Sequence, residues 1–200
     1  MTSRTISIGW TAANLVLAAC FVAGCRESKA PAADEAQAVA DDGPAPLEAA
    51  DLGSVEPAHR AGDLYLAGQP SKDDIARWAR KGYHTVVNLR KPDEIDWDEG
   101  RAVRVAGMNY ISIPVGSADD LTDEVFSKVR KLLGDPERRP LVLHCASSNR
   151  VGAVWMPYRA LDEGVSERDA VEDAARAGLR STDLSQKARD YIHRNQKGAK

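Results

Sequence analysis

Two hundred residues, 43% apolar and 28% charged, suit one globular domain of roughly 100–150 residues with some chain left over. A net charge of −3 excludes the basic footprint that nucleic-acid binding requires. Three cysteines, at 20, 25 and 145, are too few for a disulfide scaffold or a four-thiolate zinc site.

Arg4 and the terminal amine make a short positive start, and residues 6–24 carry no charge. Val22-Ala23-Gly24-Cys25 then gives way at once to Arg26-Glu27-Ser28-Lys29. A charged start, an apolar middle and small residues before a cut describe a secretory signal over 1–24. Its ending on cysteine resembles the lipobox of bacterial lipoproteins, which implies lipid on Cys25. Leu17-Ala18-Ala19-Cys20 fits the same pattern, but a cut there leaves Phe21 and Val22 in the mature tail. An uncleaved membrane anchor is the other reading, since the run approaches the ~20 residues of a span. Both readings export the domain to the cell envelope, held to the membrane by its N-terminus. Ala, Pro, Asp and Glu dominate from 25 to 56, so a flexible or partly helical tether is expected there.

The domain, 57–196, alternates strands and helices. Leu64-Tyr65-Leu66 is a short apolar strand, followed by a helix that Ser71 and Asp74 cap reciprocally and Gly82 ends. Thr85-Val86-Val87-Asn88-Leu89 is a buried strand. A charged helical stretch over about 93–106 leads to the strand Tyr110–Pro114. Leu121, Val125, Phe126, Val129, Leu132 and Leu133 mark one face of the next helix. Leu141-Val142-Leu143-His144 is again a buried strand, and helices are expected near 150–162, 166–177 and 183–194. The pattern predicts an α/β three-layer sandwich with a mainly parallel central sheet. Pro157 falls inside one of these helices and removes its bond to the Ala153 carbonyl.

The chemistry concentrates in His144-Cys145-Ala146-Ser147-Ser148-Asn149-Arg150, between a buried strand and a helix. Open α/β sheets bind ligands outside the carboxyl ends of their strands. Unpaired N–H groups at a helix start cradle an oxyanion and favour a thiolate over a thiol. The Arg150 fork suits bidentate capture of phosphate. Ala146, Ser147, Ser148, Asn149 and Arg150 therefore describe an oxyanion pocket with Cys145 as nucleophile.

Ala67-Gly68-Gln69-Pro70-Ser71, Val86–Arg90, Ile113-Pro114-Val115, His144–Ser147 with Asn149–Gly152, and Ala177–Ser181 together resemble the dual-specificity, protein-tyrosine-phosphatase-like superfamily. The nearest likeness is to the small bacterial branch that includes the beta-lactamase-hydrolase-like phosphatase domain. The resemblance implies a phosphocysteine on Cys145, phosphate held by Arg150 and loop amides, and an aspartate as general acid. Asp119 and Asp120 lie where that acid is expected, and either also suits capping of the helix beginning at Leu121; Asp119 is the acid candidate.

Three departures from the family pattern stand out. Four residues separate Cys145 from Arg150 where mainstream tyrosine phosphatases have five, an interval shared with rhodanese-type sulfurtransferases. Ser148 stands where short loops commonly have Gly, at a cost of about 1 kcal/mol if φ is positive. Val151 replaces a Ser or Thr whose hydroxyl helps the leaving thiolate. A sulfurtransferase of rhodanese-like fold acting on sulfane sulfur, and a non-catalytic oxyanion-binding module, therefore stand beside a phosphatase.

The remaining prominent residues suit the scaffold. His144 orients the loop, Arg90 pairs with Glu94, and Trp78, Trp155 and Tyr158 pack. His59, His84 and His193 have no metal-ligand spacing, and the reading calls for no cofactor.

Overall fold

The computed structural model describes residues 43–196. The signal, Cys20, Cys25 and the tether as far as residue 42 lie outside the described residues. Among the described residues the β-branched and apolar runs form β1 (Glu48–Ala49), β2 (Ala58–Ala61), β3 (Leu64–Ala67), β4 (Thr85–Asn88), β5 (Asn109–Ser112) and β6 (Leu141–His144). The helices are α1 (Lys72–Arg80), α2 (Glu99–Val105), α3 (Asp123–Gly134), α4 (Asn149–Leu161), α5 (Glu167–Ala177) and α6 (Thr182–Gln196).

The strands make one sheet in the order β1-β2-β3-β6-β4-β5. The expected strands, β3, β6, β4 and β5, are parallel, whereas β1 and β2 extend the β3 edge antiparallel. Alternate side chains leave opposite faces of each strand. Val86 and Val142 pack with Ile75, Trp78 and Val103 on the face of α1 and α2. Val87, Leu141 and Leu143 pack with Phe126, Val129, Trp155, Ala174 and Ile192 on the face of α3 to α6. The result is the three-layer α/β sandwich that the alternation predicts.

The helix ends follow local chemistry, with two differences. Ser71 and Asp74 form the expected capping box on α1. The charged stretch over 93–106 instead divides into a 3₁₀ turn, Pro92–Glu94, and the shorter α2, whose N-cap is Asp98. Near Leu121, Thr122 caps α3, and Asp120 accepts the amides of Gly116 (2.7 Å) and Ser117 (2.9 Å) to close a separate 3₁₀ turn. Asp120 is thus a capping residue, but of a turn before the helix. α4 runs through Pro157 and is buried along most of its length, between α3, α5 and α6.

The tether ends earlier than residue 56. Leu47, Leu52 and Val55 are buried, and β1 pairs with β2. Trp78 Nε1 donates to the Leu52 carbonyl (3.0 Å), and Arg159 Nη1 donates to that of Ala45 (3.0 Å). Asp74 accepts the Ser54 hydroxyl (2.6 Å) and amide (2.9 Å) as well as Ser71. Burial alone would raise the Asp74 pKa; these bonds outweigh it and hold the carboxyl at about 2.

Ser148 is the joint between β6 and α4. It has φ +61° and is the one non-glycine residue with positive φ among those described. Its hydroxyl is buried without a partner, and its Cβ packs against the backbone of Gly178, where a Cβ would come within 3.0 Å. The left-handed conformation strains an L side chain, and a buried orphan hydroxyl adds a desolvation cost. Ser148→Gly is therefore expected to stabilise the domain by about 1 kcal/mol, raising Tm by roughly 2–4 °C. Thermal unfolding of the two proteins checks this, and an unchanged or lower Tm counts against the strain.

Candidate active site

Parallel pairing sets Ala67, His144 and Asn88 level across three adjacent strands. Each strand releases a segment from its carboxyl end at the same height, the position where such sheets bind ligands. From β6 comes the Cys145 loop, from β3 Gly68–Pro70, and from β4 Leu89–Glu94.

The first contacts lock the loop to the segment after β3. Cys145 donates its amide to the Ala67 carbonyl (3.3 Å), and Gln69 donates its own to Ala146 (3.2 Å). Gly68 bridges to Ser147 and has no room for a side chain, because a Cβ would lie 2.2 Å from the Glu56 carbonyl oxygen. Cys145 is 1% exposed, so it sits at the floor of the loop rather than on the surface.

The loop side chains named from the sequence turn toward scaffold. Ser147 accepts Arg180 at its carbonyl (3.3 Å) and hydroxyl (3.1 Å). Asn149 Oδ1 accepts the amides of Arg180 (2.7 Å) and Ser181 (3.1 Å). What the loop can offer an oxyanion is backbone N–H, since the first amides of α4 have no acceptor within the helix.

Arg150 is held more tightly than the sequence reading expects. Its Nη1 and Nη2 donate to the two Glu94 carboxylate oxygens at 2.8 and 2.7 Å, and Nη1 also donates to the Val115 carbonyl (2.7 Å). The pairing with Glu94, opposed by burial and aided by the nearby Cys145 sulfur, raises the Arg150 pKa. The same bond from Arg150, again against burial, holds the Glu94 carboxyl at about 2. Glu94 was expected as the partner of Arg90, and that contact exists at 3.5 Å. Its closer partner, 56 residues away in sequence, is Arg150. Glu94 occupies the end-on edge of the guanidinium. The side-on edge, Nε with Nη2, is left for a second bidentate acceptor.

A second polar group backs the loop. His144 and Glu99 are both buried, with His144 Nε2 donating to Glu99 Oε1 (2.8 Å). Gln69 Nε2 donates to Glu99 Oε2 (2.8 Å), and Gln69 Oε1 accepts from Arg90 Nη1 (2.5 Å). His144 thus orients the loop, as expected, and Gln69 joins its group to the arginine cluster. No periodicity or spacing announces Glu99 or Glu94 as partners of the loop.

A cleft of about 340 Å³ lies against Arg150 and Asn149, lined also by Gly116–Ala118 and by Ser181, Asp183 and Leu184. Asp119, the acid candidate, does not line it. Its side chain is 92% exposed, pairs with Lys187 Nζ (3.0 Å), and faces the adjoining cavity. The structure brings together Cys145, the loop and Arg150, and leaves Asp119 outside.

Comparison with known proteins places this geometry. Residues 59–163 match the family model for the beta-lactamase hydrolase-like protein, phosphatase-like domain. The chain is 30% identical over 131 residues to the dual specificity protein phosphatase TpbA of Pseudomonas aeruginosa, covering 64% of this chain and 57% of that one. It is 32% identical over 114 residues to the beta-lactamase hydrolase-like protein of Xylella fastidiosa, covering 54% of this chain and 26% of that one. The chain therefore spans little more than half of one curated relative and about a quarter of the other. Among solved structures, P. aeruginosa TpbA superposes with a TM-score of 0.59 at 27% identity, over 75% of this chain and 90% of that one. A Cys→Ser variant of TpbA, in complex with pTyr, superposes equally well. The core catalytic domain of the PP-IP phosphatase SIW14 from S. cerevisiae, at 17% identity and TM-score 0.55, shares the fold. The chain belongs to the phosphatase-like domain family of the beta-lactamase hydrolase-like protein, within the protein-tyrosine-phosphatase-like superfamily.

Proposed function

We propose that this protein hydrolyses phosphate esters through a phosphocysteine on Cys145, and that it does so anchored in the cell envelope by lipid on Cys25. The observation that carries the chemistry is Arg150, clamped by Glu94 on one edge at the start of α4, on the same loop as the buried Cys145 and near enough to feel its charge. A guanidinium fixed beside a buried thiol supports capture of a tetrahedral oxyanion directly over the nucleophile.

In the first step the Cys145 thiolate attacks phosphorus and the ester oxygen leaves as the P–O bond breaks. The side-on edge of Arg150 and the first amides of α4 hold the equatorial oxygens, whose charge spreads as the bond loosens. Asp119 supplies the proton to the leaving oxygen, for which its loop must release Lys187. Water then attacks phosphorus, the P–S bond breaks and Cys145 returns as thiolate. The pTyr bound by the TpbA variant suggests an aryl phosphate as the first substrate to try.

The four-residue interval favours sulfur transfer as the second reading, so phosphatase and thiosulfate assays belong side by side. The phosphatase reading predicts phosphate release from phosphotyrosine, inhibition by vanadate, and loss of at least 10³-fold in Cys145→Ser. Thiocyanate formation from thiosulfate and cyanide, with no phosphate release, overturns it. Oxyanion binding without turnover on either substrate class overturns both enzymatic readings. The anchor has its own test. Palmitate should label the wild type and not Cys25→Ala, and an unlabelled wild type or a labelled variant removes Cys25 from the proposal.

A further inference from the structure

The phosphatase reading gives no part to Gln69, although Ala67–Ser71 is among the segments that carry the family resemblance. Its backbone is fixed on both sides. Gly68 donates its amide to the Pro57 carbonyl (2.9 Å) and has no room for a Cβ, and Pro70 is buried. Gln69 is half-buried between them and donates its own amide to the Ala146 carbonyl (3.2 Å), one residue past the nucleophile. Both ends of its side-chain amide are engaged. Nε2 donates to Glu99 Oε2 (2.8 Å) and to the Pro70 carbonyl (3.1 Å), and Oε1 accepts from Arg90 Nη1 (2.5 Å).

The surrounding charges explain why an amide stands there. Arg150 takes both Glu94 oxygens, so Arg90 keeps a 3.5 Å contact with that carboxylate and a bond to the Glu94 carbonyl. Glu99, 1% exposed, has His144 as its other side-chain partner. Among the described residues no ion pair joins Arg90 to Glu99 directly. A guanidinium only donates and an ionised carboxylate only accepts, so the group between them must accept on one side and donate on the other. Glutamine does both, and its neighbours leave its amide one orientation. One bond leads through Arg90 and Glu94 to Arg150, and the other leads through Glu99 to His144.

We infer that Gln69 is a positioning residue for the phosphatase reaction, setting the oxyanion-binding arginine in register with the nucleophile. Cys145 and Arg150 lie on either side of the left-handed joint at Ser148. A polar network behind the loop that reaches both sides resists rotation at that joint, and Gln69 is where its two halves meet. The inference rests on the phosphatase reading for its consequence in turnover, and on the hydrogen bonds for its consequence in oxyanion binding.

The test exchanges the two ends of one bond, in the full chain. Gln69→Glu keeps the shape of the side chain, but sets two carboxylates against each other and removes a donor from Glu99. It should lower kcat for phosphotyrosine about tenfold or more and weaken vanadate binding about fivefold or more. Adding Glu99→Gln returns a donor–acceptor pair between the two positions, keeps an acceptor for Arg90 and for His144, and restores the net charge. The double variant should therefore recover both quantities to within about threefold of wild type, a rescue that a residue merely filling space does not predict. Gln69→Met breaks the same bonds without adding charge, and should lose both quantities even if Gln69→Glu fails to fold. Either single variant within about threefold of wild type in both quantities, or a double variant no better than Gln69→Glu, overturns the role of Gln69. A wild type that binds vanadate and releases no phosphate overturns the phosphatase reading instead, and vanadate affinity then decides the role of Gln69.

Discussion

The Glu94–Arg150 pair is the constraint on which the site depends. Arg150 begins a buried helix, and a guanidinium there needs partners on every edge or a strong reason to be left short. Glu94 satisfies the end-on edge with two bonds and Val115 adds a carbonyl, so the arginine has one orientation. That orientation leaves one fork for an acceptor and brings the charge against Cys145. From Glu94 the connections continue through Arg90 and Gln69 to Glu99 and His144, the residue before the nucleophile. The loop is thus held at both ends by one polar chain.

The sheet makes that chain feasible. Because β3, β6 and β4 are parallel and in register at Ala67, His144 and Asn88, three segments far apart in sequence emerge side by side. Antiparallel neighbours would send alternate segments to opposite ends of the sheet. The apolar faces of the same strands bury the helices that carry the remaining parts, and α4 packs between α3, α5 and α6. Asn149 then ties the start of α6 to the loop, so the far wall of the cleft is referenced to the nucleophile.

Much of this was legible before the fold. The strands expected at 64–66, 85–89, 110–114 and 141–144 follow from short apolar runs, although β5 is Asn109–Ser112 and ends before Ile113-Pro114, and the Ser71–Asp74 box follows from capping chemistry alone. Ser148 has the positive φ for which short loops of this kind commonly use glycine. What escaped did so for physical reasons. Leu47, Leu52 and Val55 are three apolar residues without a period in a Pro- and Ala-rich segment, and only tertiary contact buries them. Glu94 reads locally as the i+4 partner of Arg90, since nothing along the chain registers a carboxylate 56 residues from its arginine.

The most direct measurement is the coupling between Glu94 and Arg150 in oxyanion binding, taken from vanadate affinities of the wild type, Glu94→Gln, Arg150→Ala and the double variant. If Glu94 acts by orienting Arg150, Glu94→Gln weakens vanadate binding about tenfold or more, although it removes a negative charge from the neighbourhood. Arg150→Ala then costs much less in the Glu94→Gln background than in the wild type. Unchanged or tighter binding by Glu94→Gln, or effects of the two substitutions that simply multiply, would contradict the account.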